Sequence, residues 1–192
     1  MQELVNNVRK RAFFALFLNF EENIWKNLVN FTKGIDFFSN IVYNLDRKKK
    51  YIVEDNNMVK IIIGVKGTGK TKILIEMINS ALESSNGSVV CIEKGENLRL
   101  TLSHKCRLIN SDEYMVNDAQ ELYGFIAGLL ASNHDITDLF IDATFRICQR
   151  DVVAFDKFLA EVDQLAAKYD VNLVMTLSMP IENATESIKK YL

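Results

Sequence analysis

The stretch Ile61-Ile62-Ile63-Gly64-Val65-Lys66-Gly67-Thr68-Gly69-Lys70-Thr71 constrains this chain more than any other. Three consecutive isoleucines favour an extended strand covered on both faces, because β-branched side chains pack well on a pleated surface and no polar residue interrupts the run. Three of the chain's eight glycines then fall within six positions, so the backbone turns there with little side-chain cover. Residues 70–83 follow, with Leu74, Met77, Ile78 and Ala81 at helical spacing. A buried strand that turns on glycines and leaves as a helix is half of a βαβ unit, and the strand needs parallel neighbours to bury it.

The sequence after the helix repeats that alternation. "SNGSVVCIE" reads as a turn and a strand, "CRLINS" as another strand, and residues 118–131 as a helix with Leu122, Phe125, Ile126 and Leu129 on one face. "DLFIDA" is a strand, Phe155 to Tyr169 line a helix, "VNLVMTLS" is a final strand, and "ENATESIKKYL" suits a closing helix. The expected fold is α/β: a three-layer parallel sheet of about five strands.

Residues 1–57 differ from 58–192. They hold seven of twelve Phe, the only Trp and one glycine, and their charges count 9 − 7 = +2 against 14 − 18 = −4 for the remainder. A boundary near Met58 is expected, with 1–57 a helical extension. Ile24, Leu28, Phe31, Ile35, Phe38, Val42 and Leu45 alternate by four and three, on one helix face. The favoured reading packs this helix on the main domain, and contact of residues 1–45 with a membrane surface is the less favoured one. The basic-then-apolar run through Phe20 resembles a signal peptide, yet no small-residue cleavage site follows. Val53-Glu54-Asp55 is compatible with a purine-rich ribosome-binding sequence ahead of the Met58 codon, which raises a start at Met58. Three widely spaced cysteines and a formal charge of −2 fit free thiols in the cytoplasm and give no strong nucleic-acid signal.

Gly64 to Thr71 fits G-x-x-x-x-G-K-[ST] between an expected strand and an expected helix, and looks like a P-loop. Glycines let backbone N–H groups converge on one point, and the helix N-terminus adds partial positive charge, so the loop makes an anion cradle. Gly64, Val65, Lys66, Gly67, Thr68, Gly69, Lys70, Thr71 and Lys72 are the expected nucleotide-binding residues. Lys70 would reach the β- and γ-phosphates and Thr71 would ligate Mg²⁺. Asp142, at the end of "TDLFIDA", is the expected magnesium carboxylate, since ligands bind outside the carboxyl ends of strands in open α/β sheets. ATP is preferred to GTP because no N-K-x-D-like sequence occurs.

The layout resembles the RecA-like ATPases over about Met58 to Ser178. "VVCIEKG" and "FIDAT" match in kind the two stretches in which that family places a catalytic glutamate and a magnesium aspartate followed by a small residue. The resemblance implies Glu93 as the water-activating base, and Thr176 or Ser178 as γ-phosphate sensor at the end of the last strand. Met179 stands where the usual glutamine would be. Arg146 and Arg150 could act as arginine fingers, but surface solvation is preferred. Residues 58–192 also look like small stand-alone bacterial ATP-binding proteins labelled as twitching-motility-type, although the His- and Asp-box segments of retraction ATPases are missing. The expected activity is Mg-dependent ATP binding with slow hydrolysis. Two alternatives remain: a thymidine-kinase-like phosphotransferase, whose catalytic Glu is replaced by Ala143, and a nucleotide-dependent binding module without turnover. A protein partner or homo-oligomer is left open. His104 and His134 lack companions for a metal, and Asp135 to Asp138 read as solvated charge ahead of a strand.

Overall fold

The computed structural model of the chain describes residues 58–192. The expectations for residues 1–57, including the amphipathic helix and its membrane-surface reading, lie outside the described residues.

Five strands form one sheet: β1 (Val59–Gly64), β2 (Ser88–Glu93), β3 (Arg107–Asn110), β4 (Ile136–Ile141) and β5 (Asn172–Ser178). Their spatial order is β1-β5-β4-β2-β3 and every pairing is parallel. The longer helices are α1 (Lys70–Ser84), α2 (Ala119–Ser132) and α4 (Val152–Tyr169), and single turns form α3 (Thr144–Ile147) and α5 (Glu186–Lys189).

Side chains alternate along the strands and so divide the interior in two. Val59, Ile61, Val90, Ile92, Leu139, Ile141, Leu173 and Met175 join the apolar faces of α2 and α4 in one continuous core. Val89, Cys91, Phe140 and Val174, on the opposite face, are buried together with Leu74, Met77, Ile78 and Ala81 of α1. Two helices on one side and one on the other make the three-layer α/β architecture that the sequence pattern requires.

Helix entry is set locally. The Asp118 side chain accepts from the Glu121 N–H at the start of α2, and Asp151 accepts from the Val153 and Ala154 N–H groups at the start of α4. Gly69 at the start of α1 has no side chain to offer, so the first N–H groups of that helix lack such a cap.

Two expectations change. The closing helix contracts to a 3-10 turn at Ile181–Asn183 and one turn of α5, because Thr185 caps the helix through the Ile188 N–H and so fixes its start late. Asp138 is not solvated ahead of a strand but buried within β4, where the Thr137 hydroxyl and the Asn172 amide donate to its carboxylate. Asn172 stands opposite Asp138 in register, which supplies the partner a buried carboxylate needs.

Candidate functional site

Register brings the named residues to one edge of the sheet. Gly64 stands beside Ser178 and Ile62 beside Thr176, while Ile141 pairs with both Met175 and Ile92. Asp142 is therefore level with Thr176, and Glu93 with Asp142, at the carboxyl ends of three neighbouring strands.

The turn from β1 to α1 closes on a single carbonyl. The Thr68 hydroxyl donates to the Val65 carbonyl at 2.9 Å, and the Lys70 ammonium donates to the same oxygen at 2.8 Å. Lys70 thus folds back over the loop and is buried; that burial holds its pKa below the ordinary lysine value, with the Asp142 charge opposing. Gly67 (φ 89°) and Gly69 (φ 84°) are left-handed, and a Cβ built on either meets nothing within 4 Å. The bare backbone faces open space rather than packed protein. At Gly64, by contrast, a Cβ would lie 2.7 Å from the Thr68 hydroxyl, so the strand end needs glycine for close packing.

Asp142 is the hub. The Thr176 hydroxyl donates to its carboxylate at 2.7 Å, and the Thr71 hydroxyl approaches both carboxylate oxygens at 3.3 and 3.4 Å. Thr176 in turn accepts from the Ala143 N–H at 2.8 Å. Ala143 is left-handed (φ 55°), which turns the chain directly after Asp142. Thr71 from α1, Asp142 from β4 and Thr176 from β5 therefore meet at one point. Ser178 is exposed at the end of β5, and Lys66 and Lys72 are exposed along the loop and first helical turn.

Glu93 is 2% exposed, and its carboxylate accepts from the Leu98 N–H at 3.0 Å. Burial raises its pKa; hydrogen bonds from the Leu98 and Asn97 backbone oppose the rise, and Asp142 adds to it. The side chain closes the loop 93–98 on itself. Arg146 anchors the same loop by donating to the Lys94 carbonyl, so it is not a free surface cation. Arg150 is exposed and left-handed (φ 61°), its N–H donating to the Phe145 carbonyl. Asn110 ties this region to β3, its amide oxygen accepting from Gly95 and Asp112 N–H groups. Sequence reasoning missed the loop role of Asn110, for which Asn-Ser-Asp offered an Asx-turn signal, and that of Arg146, for which there was none.

Among the described residues no three His, Cys, Asp or Glu side chains converge as a metal cluster, and no helix is long and apolar enough to cross a membrane. Cys91, Cys106 and Cys148 are free and buried, and burial pushes the last two thiols up to about 11 and about 12. His134 stacks on Tyr169 and His104 is exposed. No protein-family model matches this chain, and no curated protein resembles it significantly in sequence.

Proposed function

We propose that this is a P-loop domain of RecA-like type that binds Mg–ATP and hydrolyses it slowly. The observation that carries the reading is the meeting of Thr71 and Thr176 on the Asp142 carboxylate beside a glycine loop whose backbone opens to empty space. A hydroxyl and a carboxylate at that separation suit a hard divalent cation, which characteristically takes one or two protein oxygens and completes its shell from phosphate and water. The loop suits the phosphates: the left-handed glycines leave its backbone without side-chain cover, and no side chain caps the start of α1. Magnesium would neutralise charge on the bound phosphates.

The protein's own groups have separable tasks. Lys70 exchanges its bond to the Val65 carbonyl for a phosphate oxygen, an exchange favoured because the carbonyl is a neutral partner and the phosphate a charged one. Thr71 and Asp142 hold the cation. Thr176 fixes the Asp142 carboxylate and, through the Ala143 N–H, the turn that follows it. Glu93, level with Asp142 and with its pKa raised, is the candidate base for an attacking water.

A second reading has its own observation. The Glu93 carboxylate is already engaged by the Leu98 N–H, so the same geometry serves a domain that binds nucleotide to order its 93–98 loop without turnover. Calorimetric MgATP titration with turnover assays of the wild type, Lys70→Ala and Glu93→Gln separates the two. Hydrolysis with Glu93 as base requires that Lys70→Ala lose binding and that Glu93→Gln bind normally but no longer turn over. If Glu93→Gln leaves turnover unchanged, Glu93 is not the base; if no turnover accompanies tight wild-type binding, the binding module is correct.

A further inference from the structure

The segment that follows Asp142 is strained. Ala143 (φ 55°), Gln149 (φ 54°) and Arg150 (φ 61°) are left-handed residues that carry a Cβ, and they frame the single turn of α3. Such backbone persists only where its surroundings impose it, and it gathers at ligand sites and switch regions. Three bonds impose it here. The Ala143 N–H donates to the Thr176 hydroxyl, the Thr144 hydroxyl to the Ile141 carbonyl at 3.1 Å, and the Arg150 N–H to the Phe145 carbonyl at 2.8 Å.

The first of these is the one that a ligand at Asp142 reaches. The same Thr176 hydroxyl donates to the Asp142 carboxylate at 2.7 Å, so the Ala143 N–H, the hydroxyl and the carboxylate stand in a row. In such a row each bond polarises the next, and donation to a charged carboxylate makes the Thr176 oxygen a better acceptor for Ala143. A cation on Asp142 draws off that charge and weakens both bonds, and with them the hold on the left-handed turn.

Arg146 is the arm of that turn. Its guanidinium donates to the Lys94 carbonyl, next to Glu93, and a Cβ built on left-handed Gly95 (φ 101°) would stand 3.9 Å from it. The other ties on this loop come from the far side: Asp112 and Asn117 hold the Lys94 ammonium at 2.7 and 3.1 Å, and Asn110 accepts from the Gly95 N–H. They tether the loop without reaching the Asp142 turn. Glu93, 2% exposed and bonded to the Leu98 N–H, meets no attacking water until the loop moves.

We propose that Arg146 is a positioning residue that latches the 93–98 loop over Glu93, and that MgATP at Asp142 releases the latch through Thr176 and α3. On the reading that Asp142 holds magnesium and Glu93 is the base, the base stays covered until cation and phosphates are in place, and water is not activated before its target is present.

Hydrogen exchange of the full chain, with MgATP binding followed separately by calorimetry, tests this. In the wild type MgATP is expected to speed exchange of the amides of residues 94–98. Arg146→Ala is expected to speed it roughly tenfold or more without nucleotide, the loss of one charge-assisted bond, while the core amides of α4 keep their protection. Added MgATP then changes the loop little further, because the latch is already gone. A merely structural arginine gives equal MgATP effects in both proteins, and that additivity overturns the proposal. So does MgATP that binds the wild type and leaves the loop unchanged or slows its exchange, slowing being the mark of the module that orders its loop. An absence of calorimetric binding removes the nucleotide reading, and the latch with it.

Discussion

Glu93 holds a proton more tightly in the folded chain than its ordinary value of 4.5 allows, first because it is buried and then because Asp142 lies close, against the pull of two backbone N–H groups. A carboxyl whose folded pKa is raised contributes stability that is present below the unfolded pKa and lost as pH rises through the folded one. Glu93→Gln keeps an oxygen for the Leu98 N–H and carries no charge. The variant is therefore expected to match the wild type in urea midpoint at pH 4 and to exceed it at pH 7, with an unchanged denaturant slope. An equal difference at both pH values would show that folding does not raise the Glu93 pKa above its unfolded value. Lys70 has the opposite sign. Its lowered pKa means that the bound ammonium is held at a cost until an anion arrives. Lys70→Met is expected to preserve or slightly raise stability without nucleotide while weakening MgATP binding at least roughly tenfold by calorimetry, the loss of one charge-assisted contact.

Between strand and helix, two glycines ask different things of the same substitution. Gly69→Ala meets open space, so its cost is that of a left-handed alanine alone, about 1–2 kcal/mol by chemical denaturation, with nucleotide affinity reduced as the loop shifts. Gly87, at the far end of the sheet, has no room: a Cβ there would run into the Asp135 carbonyl and Thr137. Gly87→Ala is expected to cost about 1–3 kcal/mol and to leave MgATP affinity unchanged, a contrast that calorimetry on both variants would reveal. These elements also show what a sequence carries. Ile61 to Ile63, "SVVCIE" and "DLFIDA" announce buried strands because no polar residue interrupts them, and each is a strand. Asp142 was legible as a residue emerging from such a run. The bond from Thr176 to Asp142 was not, because it depends on β5 lying between β1 and β4, a pairing that strand patterns do not encode. Nor was α3, which begins at a left-handed alanine, a conformation no alanine advertises. Asp138 was misread because a carboxylate next to Thr137 looks solvated until Asn172 arrives from a strand over thirty residues away.

Across the whole molecule, the site is assembled from elements that only the sheet holds together: the β1–α1 turn, the end of β4 and the end of β5. No pair of them is adjacent in sequence, and each depends on a core in which Phe155, Phe158 and Leu159 of α4 are fully enclosed. A ligand that binds this arrangement therefore binds the folded state and has no comparable site in the unfolded chain. Linkage then requires MgATP at a hundredfold excess over its dissociation constant to add about 2.7 kcal/mol to stability. For a chain of this length that is a rise in melting temperature of roughly 5–11 °C. The rise is expected to shrink when EDTA removes magnesium, because Thr71 and Asp142 then face the phosphates without a cation between them, and the carboxylate repels them. In Asp142→Asn the repulsion is gone, so the magnesium-dependent part of the rise is expected to disappear while a smaller, magnesium-independent part persists through the loop and Lys70. Thermal scans of both proteins with ATP, with and without magnesium, measure all four values. A wild-type rise that ignores magnesium would remove Asp142 from the site, and no rise at all would remove the nucleotide.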